Sequence, residues 1–192
     1  MPLACTIYEV VGARELREVA GRLAERGLEI TDESPARVRG IAELPDGARA
    51  RFALYAFRGR IFLVAMAGRR LAARVARLIS QAASVELVEV RVDPLRFMQL
   101  YEGAVVKVAV FDMVRALGLR HVVLIGDAVS DSDAYREHLG AGRLKYVLFQ
   151  TGRGLVLGVS ESGIVIALSR LGEDELLSIV EGELLPLAAQ AR

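Results

Sequence analysis

Residues 49–67 read Arg-Ala-Arg-Phe-Ala-Leu-Tyr-Ala-Phe-Arg-Gly-Arg-Ile-Phe-Leu-Val-Ala-Met-Ala. Two strand-like runs meet at Arg58-Gly59, and a two-residue turn there sets 57 against 60, 55 against 62, 53 against 64 and 51 against 66. Side chains alternate along a strand, so this register sorts them onto two faces. One face carries Ala50, Phe52, Leu54 and Ala56 opposite Ala67, Ala65, Leu63 and Ile61, a surface suited to packing beneath helices. The other carries Arg49, Arg51, Tyr55 and Phe57 opposite Met66, Phe62 and Arg60.

Working outward, residues 37–44 form a preceding strand, joined through Pro45-Asp46-Gly47, which makes an antiparallel meander and brings Arg37 and Arg39 to the arginine face. Gly68 ends the meander. Residues 69–82 then read as a helix with Leu71, Val75 and Leu78 on one side and Arg70, Arg74 and Arg77 on the other. Upstream, 4–11 is β-branched and aromatic enough for a strand, and 13–26 places Leu16, Val19, Ala20 and Leu23 at helical spacing before a Gly27 stop. The stretch containing Ser34-Pro35 reads as loop, and 85–92 as a further strand.

Beyond that, Asp93-Pro94 opens a helix to about Glu102, and 105–111 is a strand. From Gly118 the order resumes: strand 121–125, helix 130–139 with a Ser130/Asp133 capping pattern, strands at 144–151, 154–160 and 163–169, and a last helix from Gly172 that Pro186 follows. The expectation is an α+β protein of two similar halves, each a strand, a helix, a three-stranded meander and a helix. Its parts are a basic half over 1–92, a connecting helix and strand over 93–118, and an acidic half over 119–192.

That order used twice resembles the TATA-binding-protein-like fold, chiefly over Cys5–Gln81 and in the hairpin Phe52–Ala67 that leads into the helix Arg69–Ser80. The resemblance implies a curved antiparallel sheet crossed by a long helix. Specific TATA recognition in that family uses central asparagines, and this chain has no Asn, so only the scaffold carries over.

Net charge is +1 over 192 residues, but residues 35–80 carry ten Arg against Glu43 and Asp46, while the flanking segments are net acidic. Guanidinium groups interleaved with rings on an open sheet bind phosphates and stack unpaired bases. Arg37, Arg39, Arg49, Arg51, Tyr55, Phe57, Arg60 and Phe62 are therefore candidates for contact with RNA or single-stranded DNA. Two alternatives compete with this. The rings could form a homodimer or complex interface or pack against 93–118, and the arginines could pair with the acidic second half.

The single Cys5 excludes an internal disulfide and a Cys-based zinc site. No apolar run approaches the ~20 residues of a membrane span, and the start lacks a signal sequence, so a cytoplasmic protein is expected. Four Gln, no Asn and 23 Arg against two Lys fit a heat-adapted protein or a GC-rich genome. Phe111-Asp112-Met113 and the Asp127, Asp131, Asp133 segment resemble the nucleophile and fourth motifs of haloacid-dehalogenase-type phosphatases. Val114 stands where that family has a second Asp, however, and the segments lie too close for a covering domain, so the three acids read as turn and cap residues. A metal site from these acids with His138 or His121 lacks compact spacing, and Gly152-Arg153-Gly154 is a hairpin turn and not a phosphate loop. The expectation is a non-enzymatic binding module with no metal and no cofactor.

Overall fold

The structure, a computed structural model, describes residues 2–112 and 119–190. Met113, Val114 and Gly118, on which parts of the reading above rest, lie outside them. In chain order the elements are β1 (Leu3–Val11), α1 (Leu16–Glu25), β2 (Glu29–Glu33), β3 (Arg37–Glu43), β4 (Arg49–Phe57), β5 (Arg60–Ala65), α2 (Arg69–Ala83), β6 (Glu86–Glu89), α3 (Pro94–Gln99), β7 (Val105–Asp112), β8 (His121–Ile125), α4 (Asp133–Ala141), β9 (Arg143–Gln150), β10 (Val156–Ser160), β11 (Ile164–Ala167), α5 (Glu173–Ile179) and α6 (Leu185–Ala188). A 3-10 turn, Val129–Asp131, precedes α4, and a π-helical turn, Val180–Leu184, joins α5 to α6.

The hairpin forms in the expected register, with Phe57 opposite Arg60, Tyr55 opposite Phe62 and Ala53 opposite Val64. Arg58 and Gly59 both adopt positive φ, 51° and 73°, the twist that a two-residue hairpin turn requires. The expected Ser34-Pro35 loop is present, but strand β2, which was not expected, precedes it; its sequence Glu-Ile-Thr-Asp-Glu has no apolar alternation. It is an edge strand held by pairing with β3 and by Arg49–Glu29 (3.0 Å) and Arg37–Asp32 (3.1 Å), which are long-range or side-chain terms that strand propensity does not register.

The strands join into one antiparallel sheet in the order β2-β3-β4-β5-β1-β11-β10-β9-β7-β8, with β6 sharing an edge of β1 with β11. In the first half the opening strand β1 returns beside β5. In the second half β8 pairs with β7 at the sheet edge, and the place beside β11 is taken by β1. The second half thus keeps a similar order along the chain but departs from the strand pairing that a duplicated unit would show. The strand of the 93–118 connection, β7, is inserted between β8 and β9.

Two cores result. Face A of the sheet, with Cys5, Ile7, Tyr55, Phe62, Val165, Leu157, Phe149 and Phe111, is covered by α3, α4, α5 and α6 along its length. Among the described residues, face B is covered over β1 and β3–β5, where α1 and α2 pack Leu16, Val19, Leu23, Val75 and Ile79 on Phe52, Leu54, Leu63 and Ala65. Helix α2 is turned so that Ala72, Val75, Ala76 and Ile79 face the sheet, with Leu71 and Leu78 at its margin. Pro186 lies inside α6 and does not follow the last helix. The π-helical turn immediately before it changes the hydrogen-bond register, which lets the helix continue past a residue with no N–H to give.

Candidate functional site

All eight residues expected to meet nucleic acid fall on face A, where the rings of Tyr55 and Phe62 are covered while Arg49 and Arg51 stay exposed. Tyr55 and Phe62 are 2% and 0% exposed, and Phe57 and Met66 pack against the same core. The cover is the C-terminal helical segment, whose Leu176, Leu177, Val180, Leu184, Leu185 and Ala188 are buried in this core. Burial pushes the Tyr55 hydroxyl to about 12, and the Glu181 carboxylate adds to that effect.

The arginines are matched to acids, several of them on that helical segment. Arg39 reaches Asp174 at 2.7 Å, Arg51 reaches Glu173 at 3.0 Å, and Arg37 lies between Asp32 and Glu181. Arg49 pairs with Glu29 and Glu43. Arg60 lies 5.1 Å from the Phe62 ring centroid, donates through Nε to Glu9 at 2.7 Å, and donates through Nη1 to the carbonyls of Ala188 and Ala189 at the helix end. Arg37, Arg39 and Arg51 are therefore paired with acids of the second half and Arg49 and Arg60 with acids of the first, while the Tyr55 and Phe62 rings are closed to stacking. This corrects the open-face expectation.

Magnitudes decide whether the helix is a lid or part of the core. Exposed ion pairs contribute ~0–1 kcal/mol each. Burying a large aliphatic side chain contributes ~1.5–3 kcal/mol, so the helix is held by roughly 10 kcal/mol of apolar burial, comparable to the whole stability of a domain. Lifting it off to expose a binding surface would forfeit that burial.

The Glu9–Arg60 pair predicts a pH dependence. Arg60 holds the Glu9 carboxyl below its ordinary value of 4.5 through the hydrogen bond. A lowered folded value contributes stability that is present above 4.5 and is lost as pH falls through the lowered value. Arg60→Ala should therefore reduce the difference in urea midpoint between pH ~7 and pH ~3 relative to wild type.

The acids of the second half do not assemble. Asp131 ends the 3-10 turn, so it does not share a helical face with His138. The cap of α4 is Ser132, not Ser130; its hydroxyl accepts from the Tyr135 N–H at 3.2 Å, and Asp133 pairs with Arg136 at 2.8 Å. Asp112 pairs across the strands with His121, whereas Asp127 lies past the far end of β8, beside Lys107. Four or more residues of strand at ~3.3 Å each separate the two carboxylates, so the phosphatase-like motifs point to no shared centre. No group of His, Cys, Asp or Glu that could hold a metal ion occurs among the described residues.

The sequence reading did not single out face B of the second half. The register places Val108, Val110, Val123, Ile125, Tyr146, Leu148, Val156, Ile164 and Ile166 on it together. None belongs to either core, and no described helix lies over them. Val123 and Ile125 are 55% and 78% exposed. At the centre, the Tyr146 ring lies across Gly158, so close that a Cβ there would come within 2.3 Å of its hydroxyl oxygen. The rim mixes signs, with Asp112 beside His121 (3.2 Å) and Lys145 (3.1 Å), and Arg143 beside Glu161 (3.2 Å). The signal was available in the near-continuous apolar runs Val105–Phe111, Val122–Ile125 and Ile164–Leu168, the pattern of strands covered on both faces. No protein-family model and no curated protein matches this chain.

Proposed function

We propose that this protein is an assembly module whose open face B, over β7–β11, packs against the same face of a second copy. The supporting observation is the uncovered apolar sheet face itself, made of strands with the sequence pattern of a doubly covered sheet. Five strands ~4.8 Å apart and about five residues long span roughly 24 by 17 Å, within the patch size that marks interaction surfaces. Two such faces can stack ~10 Å apart as in a β-sandwich, and the flat seat of Tyr146 over Gly158 keeps relief low at the centre. A rim carrying both signs is self-complementary under a two-fold axis. The footprint is modest, so the expected dimer is reversible, with a dissociation constant in roughly the micromolar range.

Sedimentation from about 1 to 100 μM should show a concentration-dependent monomer–dimer equilibrium. Val123→Glu with Ile125→Glu should leave monomer throughout, and Leu148→Glu, which spares the β8 edge, should do the same. A wild type that stays monomeric over this range assigns the face to another partner and ends the self-association reading.

The nucleic-acid reading would need the face that α5 and α6 cover. Its test is direct: single-stranded RNA should not bind in a salt-dependent manner through Arg37, Arg39, Arg49, Arg51 or Arg60.

A further inference from the structure

Between Gly47 and Val85 the chain carries eight Arg and no Asp or Glu. Arg49, Arg51 and Arg60 of that run find acids from other segments, and Arg58 lies over the Phe57 ring. The remaining four, Arg69, Arg70, Arg74 and Arg77, belong to α2, and all are exposed. Arg74 reaches Asp46 at 2.8 Å, and Arg69 meets Glu89 only at 3.9 Å. Arg70 and Arg77 have no acidic partner among the described residues.

This placement works against the helix. Arg69 and Arg70 stand in the first turn, where a cation opposes the macrodipole. Arg70, Arg74 and Arg77 repel one another at i,i+4 and i,i+3, and α2 holds no acid to offset them. Elsewhere the chain keeps to the opposite pattern: α1 pairs Glu18 with Arg22 at i,i+4, and α5 opens on Glu173, Asp174 and Glu175. A local rule broken on one helix and kept on others marks a surface shaped by something besides folding. Net charge is only +1, so the excess belongs to this surface and not to the protein as a whole.

Arg70, Arg74 and Arg77 form one outward stripe about 10 Å long on the helix surface. The residues exposed along it, Ala73 and Gln81, supply neither an apolar centre for a protein interface nor a ring for an unpaired base. The apolar side of α2 is packed on the sheet through Ala72, Val75, Ala76 and Ile79, so it cannot enter a lipid headgroup layer. What remains is a row of guanidinium forks, whose geometry matches phosphate oxygens bidentately. We propose that the outer face of α2 binds the phosphate backbone of double-stranded nucleic acid through Arg70, Arg74 and Arg77, without reading its sequence. This contact is separate from face A and from self-association through face B, and it involves no base stacking.

Fluorescence anisotropy with a labelled DNA duplex of about 20 base pairs is the experiment. At about 20 mM salt the wild type should bind with a dissociation constant below ~10 μM, and log K should fall against log salt with a slope of about −2 to −3, the value for two or three neutralised phosphates. Arg70→Ala with Arg77→Ala should weaken binding by about 10-fold or more and reduce the slope by about 2. Arg153→Ala, in an exposed turn of the second half, should change neither. A single strand of the same length should bind more weakly, because its charge density is lower and no ring stacks its bases. The double variant should unfold at a urea concentration no lower than wild type, since it removes repulsion and adds better helix formers. Absence of binding at low salt overturns the proposal, and so does an unchanged slope in the double variant. Equal or tighter binding of the single strand ends the duplex assignment. Phosphatidylserine vesicles bound through the same two arginines as tightly as the duplex assign the surface to a membrane and overturn it as well. A lower urea midpoint in the double variant means that these arginines serve the fold, and removes the argument for a ligand.

Discussion

Leu176→Ala and Leu184→Ala should each lower the free energy of unfolding by about 2–5 kcal/mol in urea titrations, while Arg39→Ala or Asp174→Ala should cost less than ~1 kcal/mol. Both leucines are fully buried against face A, so truncation removes transfer energy and leaves a cavity. The Arg39–Asp174 pair is much more exposed, with the Asp174 side chain 73% accessible. The order of the effects is the informative part. If the leucine variants stayed as stable as wild type and gained affinity for single-stranded RNA, the C-terminal segment would be a removable cover and the arginine face a binding surface after all.

A comparably large effect is expected at Gly40, in the middle of β3. A Cβ there would meet the Glu29 carbonyl oxygen at 2.5 Å and the Phe52 ring at 2.5 Å. Neither neighbour can retreat, since the first is backbone of the paired strand β2 and the second is a 1% exposed ring of the face B core. Gly40→Ala should cost about 1–3 kcal/mol or more by overpacking and should loosen β2. Hydrogen exchange would show this as faster exchange across Glu29–Glu33 than across β4. Equal protection in variant and wild type would mean that β2 accommodates the methyl group by a shift of its own.

Local chemistry made much of the fold legible. Arg58-Gly59 specified the hairpin register, Asp93-Pro94 specified the start of α3 through the Asp93 carboxylate accepting from Leu95 and Arg96 N–H, and Gly27 marked the end of α1 with a φ of 82°. These features depend on a few neighbouring residues. β2 was not legible, because it exists through its partner strand, and neither was the π-helical turn Val180–Leu184, because it has no sequence pattern of period 3.6. The candidate residues share face A, but the rings of Tyr55 and Phe62 expected to be open are buried.

Alternation along β4 and β5 determined from sequence alone which side chains share a face, since a strand's period of two leaves no other arrangement once the turn is set. It could not determine what lies over each face. An amphipathic helix can dock on any apolar surface, and the choice was made by packing between segments far apart in the chain, Leu176 and Leu184 joining one core with Tyr55 and Phe62. Only the tertiary structure placed α5 and α6 over the ring-bearing face, set β1 beside β11, and left face B of β7–β11 uncovered by the described residues. Covering a face is a property of the whole chain's packing, whereas facing it is a property of one strand.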